Sequence, residues 1–192
     1  MRGQVAAIVR ELESGTRQLR DLHRTLPAAA WSERPAAGRW SPAECIAHLN
    51  LSSAAILPCV HEALHAARAC AQPGDRRYRL DAMGWLVGKL VSPKSRLKLV
   101  APSAFAPAEC ETVDCLVARF EALQAELIAV AREAEGLAID RVRVVSPFDA
   151  RIKTNLYAAL MLVPRHQHRH LLQAARAAET AMTVPALSFA AA

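Results

Sequence analysis

Apolar residues at Val5, Ile8, Val9, Leu12, Leu19, Leu22 and Leu26 keep a three-to-four spacing, and Arg and Glu fill the other face. That period predicts an amphipathic helix from Val5 to Leu26. Pro27, Pro35 and Gly38 break the chain, and a second helix then announces itself with Ser41 as N-cap, Pro42 at the first helical position and Glu44 at the third, a capping box. Trp40 and Cys45 stand at the staple positions on either side. The pattern continues through His48, Leu49, Ile56, Leu57, Val60 and Leu64 to about Cys70, with Pro58 predicting a kink. From Gln72 to Pro107 the chain is mixed and basic, and only Leu80 to Val91 reads as helical. A third helix is expected from about Ala108 to Glu135, with Gly136 just past its end. RVRVVSPF reads as extended or turn-like. A fourth helix is expected from about Lys153 to Thr180, bent or restarted at Pro164.

Four long helices with a long crossover that carries a short one make an all-α four-helix bundle over residues 1–180, followed by a loose tail at 181–192. Composition supports helices over sheets: 53% of the 192 residues are hydrophobic, only 5% are aromatic and there are just 7 glycines. The formal charge of +6 would suit an acidic partner, but the basic residues are scattered apart from Arg76, Arg77, Arg79 and Lys94, Arg96, Lys98. A solvated basic face explains them, so neither nucleic acid nor a membrane is expected as partner. The start of the chain lacks a secretory core and no 18 apolar residues run uninterrupted, so a cytoplasmic location is expected. The five cysteines have no CxxC spacing and read as reduced, mostly buried thiols. Cys45 lies three residues before His48 and is expected to be a small core residue.

Seven histidines carry the candidate chemistry. His166 and His170 are four apart, about 40° around a helix, and can offer two imidazoles to one metal while His48 supplies a third from another helix. Three nitrogens leave a coordination position open, as catalytic metal sites do. A rival pair, His61 and His65 in HEALH, satisfies the HExxH pattern of zinc metalloproteases. No distal glycine and histidine of the extended type follow it, so His61 and His65 are expected to be ordinary surface or interface residues of a long helix. His168 falls about 200° from His166 and should face away from the site.

The segments around the three histidines match a family. WSPAECIAHLNLSS resembles the opening of the second helix in the DinB-like (DinB/YfiT) superfamily, and SPFDARIKTNLYAALMLVPRHQHRHLLQA resembles its closing segment with an HxxxH pair followed by Leu and Gln. KSRLKLVAPSAFAP and FEALQAELIAVAREAEGL are similar to its connecting stretch and third helix, so the resemblance spans most of residues 5 to 178. It implies a bundle of up-up-down-down type, often a homodimer, with His48, His166 and His170 holding a divalent ion such as Zn, Ni, Mn or Fe. It also implies a small-molecule substrate, and among relatives thiol-dependent S-transferases and a mycothiol-dependent isomerase.

Two functions follow as expectations. In one, the ion lowers the pKa of a bound low-molecular-weight thiol or water, which attacks a small electrophile, making the protein a thiol S-transferase or a hydrolase. In the other, it is a non-catalytic dimeric metal- or ligand-binding module. Around the ligands, Glu44 is expected chiefly to cap its helix. Gln173 and Asn50 are candidates to hydrogen-bond an imidazole or a water, and Arg165 and Arg169 either attract an anion or form a solvated face.

Overall fold

The computed structural model describes residues 2–70, 77–93, 95, 105–107 and 111–183. Five α-helices and one small hairpin make it up: α1 (Arg2–Thr25), α2 (Pro42–Ala69), α3 (Ala82–Leu90), α4 (Val113–Glu133), β1 (Arg143–Val145), β2 (Lys153–Asn155) and α5 (Leu156–Thr183). A single 3-10 turn, Ala28–Trp31, buries Trp31 between α1 and α2. α1 packs against α4 and α5, and α2 packs against the same two helices, so α1 faces α2 across the bundle diagonal.

α2 begins where its capping box requires: Glu44 N donates to Ser41 Oγ at 3.2 Å and Ser41 N donates to Glu44 Oε2 at 2.8 Å. Pro58 and Pro164 each lie inside a helix that continues past them, so Pro164 does not restart α5. Helix starts differ from expectation: α1 begins at Arg2, three residues early, and α3 at Ala82, two residues late. α4 begins at Val113 because the Thr112 side chain accepts from Cys115 N at 3.4 Å; residues 108–110, where an earlier start was expected, lie outside the described residues. α5 begins at Leu156, because Lys153–Asn155 pairs antiparallel with Arg143–Val145 and places Val144 opposite Thr154. Asn155 then ends the strand and starts the helix, its Oδ1 accepting from Ala158 N at 2.8 Å. α5 runs on to Thr183, three residues into the expected tail; residues 184–192 lie outside the described residues.

The core has two apolar clusters stacked along the bundle. One gathers Leu12, Ile56, Leu57, Leu127, Leu156 and Leu160 with the hairpin's Val144; the other gathers Leu19, Ile46, Leu49, Phe120 and Leu171. On every long helix the residues between these clusters include polar or small ones: Gly15 on α1, Asn50, Ser52 and Ser53 on α2, Gln124 on α4 and Gln167 on α5. The amide nitrogens are satisfied, Gln124 Nε2 donating to Leu12 O at 2.8 Å and Gln167 Nε2 to Gln124 Oε1 at 2.7 Å, while the buried Asn50 Oδ1 and Gln167 Oε1 accept no hydrogen bond. α2 is apolar and long enough to cross a membrane, but 67% of its most apolar window is buried inside the fold, as expected of a core helix.

Candidate metal centre

The histidines meet beside the second of the two apolar clusters, where α2 packs on α5. His48 sits two turns into α2, between the core residues Ile46 and Leu49, and is itself buried. His166 and His170 sit on the face of α5 that turns toward α2, one helical turn apart. The three rings pack edge to face, with centroids 5.2 Å apart for His48 and His166, 4.6 Å for His48 and His170, and 4.6 Å for His166 and His170. One nitrogen from each lies within 4.8 Å of the others.

Hydrogen bonding decides which nitrogens face inward. His48 Nδ1 is 2.8 Å from the carbonyl oxygen of Phe105, which only accepts, so Nδ1 carries the proton and Nε2 of the neutral ring presents a lone pair. That Nε2 lies 3.3 Å from His166 Nε2. The His48 lone pair so close to a second nitrogen requires a proton or a cation between the two. Two nitrogens on one tetrahedral zinc, each about 2.0–2.1 Å from it, stand about 3.3–3.4 Å apart, so the spacing fits a shared ion.

The rings are also held neutral, as ligands must be. Burial lowers His48, against the opposing pull of the Phe105 carbonyl. Burial and the neighbouring charges of His170, His48 and Arg169 hold His166 well below its ordinary value. His170 falls to about 3 through burial, His48 and Arg169, opposed only in part by Gln173. Three neutral imidazoles with converging nitrogens are a donor set for a borderline divalent ion.

A family model for the DinB superfamily matches residues 11–174. The chain belongs to the DinB superfamily. No curated protein and no solved structure matches it.

In this DinB-superfamily chain the other candidates fall into place around the centre. His61 and His65 are both exposed, and among the described residues the only group of three potential ligands is His48, His166 and His170, so the HEALH pair gathers no site. His168 faces α1, with Nε2 3.0 Å from Glu11 Oε2 and Nδ1 3.3 Å from Gln18 Oε1. Glu44 does its capping and also forms a forked pair with Arg34, with Nε at 2.9 Å from Oε2 and the second contact through Nη2 and Oε1. Burial alone would raise the Glu44 carboxyl, but Arg34 and Ser41 outweigh it and leave it lowered. Asn50 donates to Leu116 O on α4 at 2.9 Å and so serves the packing of α2 on α4. Gln173 hydrogen-bonds His170, a candidate ligand. Cys45 is fully buried, and burial together with the Glu44 charge pushes its thiol up to about 12, so it remains protonated.

Two contributors escape a reading of the sequence. The Phe105 carbonyl belongs to the crossover, 57 residues from His48, and a backbone acceptor leaves no side-chain signature. Trp40, expected as half of a helix staple, lays its ring beside His48 and His170 with centroids at 4.8 and 5.8 Å. Its place two residues before Pro42 was the available signal. Arg169 points to α3, donating to Leu90 O at 2.9 Å and Ser92 O at 3.4 Å, and thereby joins the ligand-bearing helix to the end of the short one.

Proposed function

We propose that this protein binds a divalent metal ion through His48, His166 and His170 and acts on a small electrophile as a thiol S-transferase or a hydrolase. The observation that carries the reading is the bare His48 Nε2 held 3.3 Å from His166 Nε2, with the third imidazole in reach. A divalent ion held there supplies Lewis acidity, which brings the pKa of a thiol or water toward neutrality. The chain's residues do the rest. Phe105 fixes the His48 tautomer, Trp40 gives the site an apolar wall, and Arg169 keeps positive charge beside the ligands, which favours their neutral form and an anionic nucleophile. Cys45 is protonated and buried, so a thiol reactant comes from a separate low-molecular-weight molecule.

A second reading, a non-catalytic metal-binding module, is favoured by one observation: Glu44, the carboxylate nearest in sequence to His48, is engaged by Arg34 and the helix cap and is not free to act as a general base. Under either reading we propose a homodimer with no nucleic-acid or membrane partner, to be checked by light-scattering mass.

The test is elemental analysis of untagged protein beside His48→Ala and His166→Ala. About one divalent ion per chain is expected, lost in both variants, with the helical circular dichroism retained. A panel of thiols and electrophiles then separates the readings: turnover that disappears with His48 supports the enzyme, and metal without turnover supports the module. An absence of metal after incubation with zinc, nickel or manganese rejects both.

A further inference from the structure

On the face of α5 turned away from the histidine centre, two cavities of about 710 and 800 Å³ run along α1, and both are lined by Glu11 and Arg165. Each has the volume of a small-molecule site, and none of the three histidines lines either one. Together their lining residues reach along α1 from Gly3 to Gln18, roughly 22 Å at 1.5 Å per residue.

Their chemistry has two parts. Apolar surface comes from Ile8, Met161 and Pro164 at one end and from Trp85 at the other, where the indole remains 58% exposed. Positive charge comes from Arg77, Lys89 and Arg165. The groove's carboxylate, Glu11, is already held by His168 at 3.0 Å. Lys89 lies over the Trp85 ring at 5.6 Å, and among the described residues no carboxylate pairs with Arg165.

Gly88 makes room for that arginine. A Cβ there would stand 2.9 Å from Arg165 Nη1, so the guanidinium rests against the bare backbone of α3. That contact is with the far end of a flexible, exposed side chain, and among the described residues no carboxylate neutralises the guanidinium where it lies against α3.

We propose that the groove is a second binding site, separate from the metal centre, for an elongated amphiphile with one anionic head. The head sits on Arg165 and Lys89, and the apolar chain lies along Ile8, Met161 and Pro164. Among the described lining residues, three cations set against one carboxylate select for the negative head, and two cavities that meet at Glu11 and Arg165 along α1 favour a chain over a compact anion.

Decanoate is the probe, titrated by calorimetry and by tryptophan fluorescence into the full chain. Saturable binding is expected, with decanol and decyltrimethylammonium at least tenfold weaker. Arg165→Ala should weaken decanoate about tenfold, the loss expected for one charge-assisted contact. Trp85→Phe should abolish the fluorescence change, and treatment with a chelator should leave the affinity unaltered, which separates this site from the histidine centre. Arg165 is exposed, so its removal leaves the fold intact, as circular dichroism would verify. Equal affinity for decanol, indifference to Arg165→Ala, or loss of binding on chelation would each overturn the proposal.

Discussion

A backbone carbonyl at Phe105 decides which nitrogen of His48 meets its neighbours, and burial, above all, sets how the cluster answers to pH. His170 titrates near 6.5 when free and near 3 in the folded chain, and His166 is also held well below its ordinary value. Between those limits the unfolded chain binds protons that the folded chain refuses. The metal-free protein should therefore have its full histidine-linked stability above about pH 7 and lose it as the pH falls toward 3, at about 1.4 kcal/mol per pH unit for each imidazole affected. Urea midpoints of the metal-free protein at pH 8, 6 and 4.5 check this, with His170→Gln flattening the profile because glutamine does not take up a proton. Parallel profiles for the two proteins would contradict it. Cys45 provides a companion test. With its thiol at about 12 and no exposed surface, it should resist iodoacetamide in the folded state while the exposed Cys115 reacts, and peptide mapping after alkylation would show an untouched Cys45.

At the scale of elements, two glycines predict opposite outcomes for the same substitution. A Cβ on Gly84 would meet the Ala158 Cβ at 2.4 Å, and this contact is what lets α3 lie directly on the start of α5. Gly84→Ala should therefore destabilise by about 1–3 kcal/mol, the usual range for overpacking. A Cβ on Gly15 would make ordinary contacts at 3.5–3.6 Å with Gln167, Gln124 and Leu171. Gly15→Ala should gain about 0.5–1 kcal/mol from helix propensity, and thermal melts of the two variants should move in opposite directions. Neither result is readable from the chain alone, where both are glycines in helical runs. What was legible is local: the Ser41 and Glu44 box fixed the start of α2, and the period of apolar residues placed the long helices. The histidine triad was legible because two of its members share a turn and the third sits in a motif. The misplaced starts of α4 and α5 turned on Thr112 as a cap and on a hairpin only three residues deep, signals too short for periodicity. Trp40 and Phe105 reached the site through tertiary contact, which spacing does not encode.

Across the whole molecule, the histidines gather beside one apolar cluster, while a separate corner of hydrogen bonds binds the short elements to the end of the bundle. Gln4 pins the crossover to α1, accepting from Tyr78 N at 2.8 Å and donating to Tyr78 O at 3.1 Å. Asp81 is the centre of that corner. Its Oδ1 caps α3 through Gly84 N at 2.8 Å, its Oδ2 accepts from Asn155 N at 2.9 Å and pairs with Arg143, and Asn155 Nδ2 returns to Arg79 O at 2.8 Å. Asp81→Ala removes a cap and strands the amide of the buried Asn155, which together should cost about 2–4 kcal/mol. Asp81→Asn keeps an oxygen for the cap but turns an NH2 group toward Asn155 N–H, so it should lose only the second part, about 1–3 kcal/mol. The Arg143 pair adds little to either value because the guanidinium is largely exposed. Since the candidate ligands are carried by α2 and α5 beside the second apolar cluster, both variants should keep any metal bound there while the amides of α3 exchange faster with solvent. Hydrogen exchange on the metal-loaded protein, read beside elemental analysis, separates the two regions. If Asp81→Ala released the metal, the corner would have to be counted among the parts that position the histidines, through Arg169 and its bonds to Leu90 O and Ser92 O.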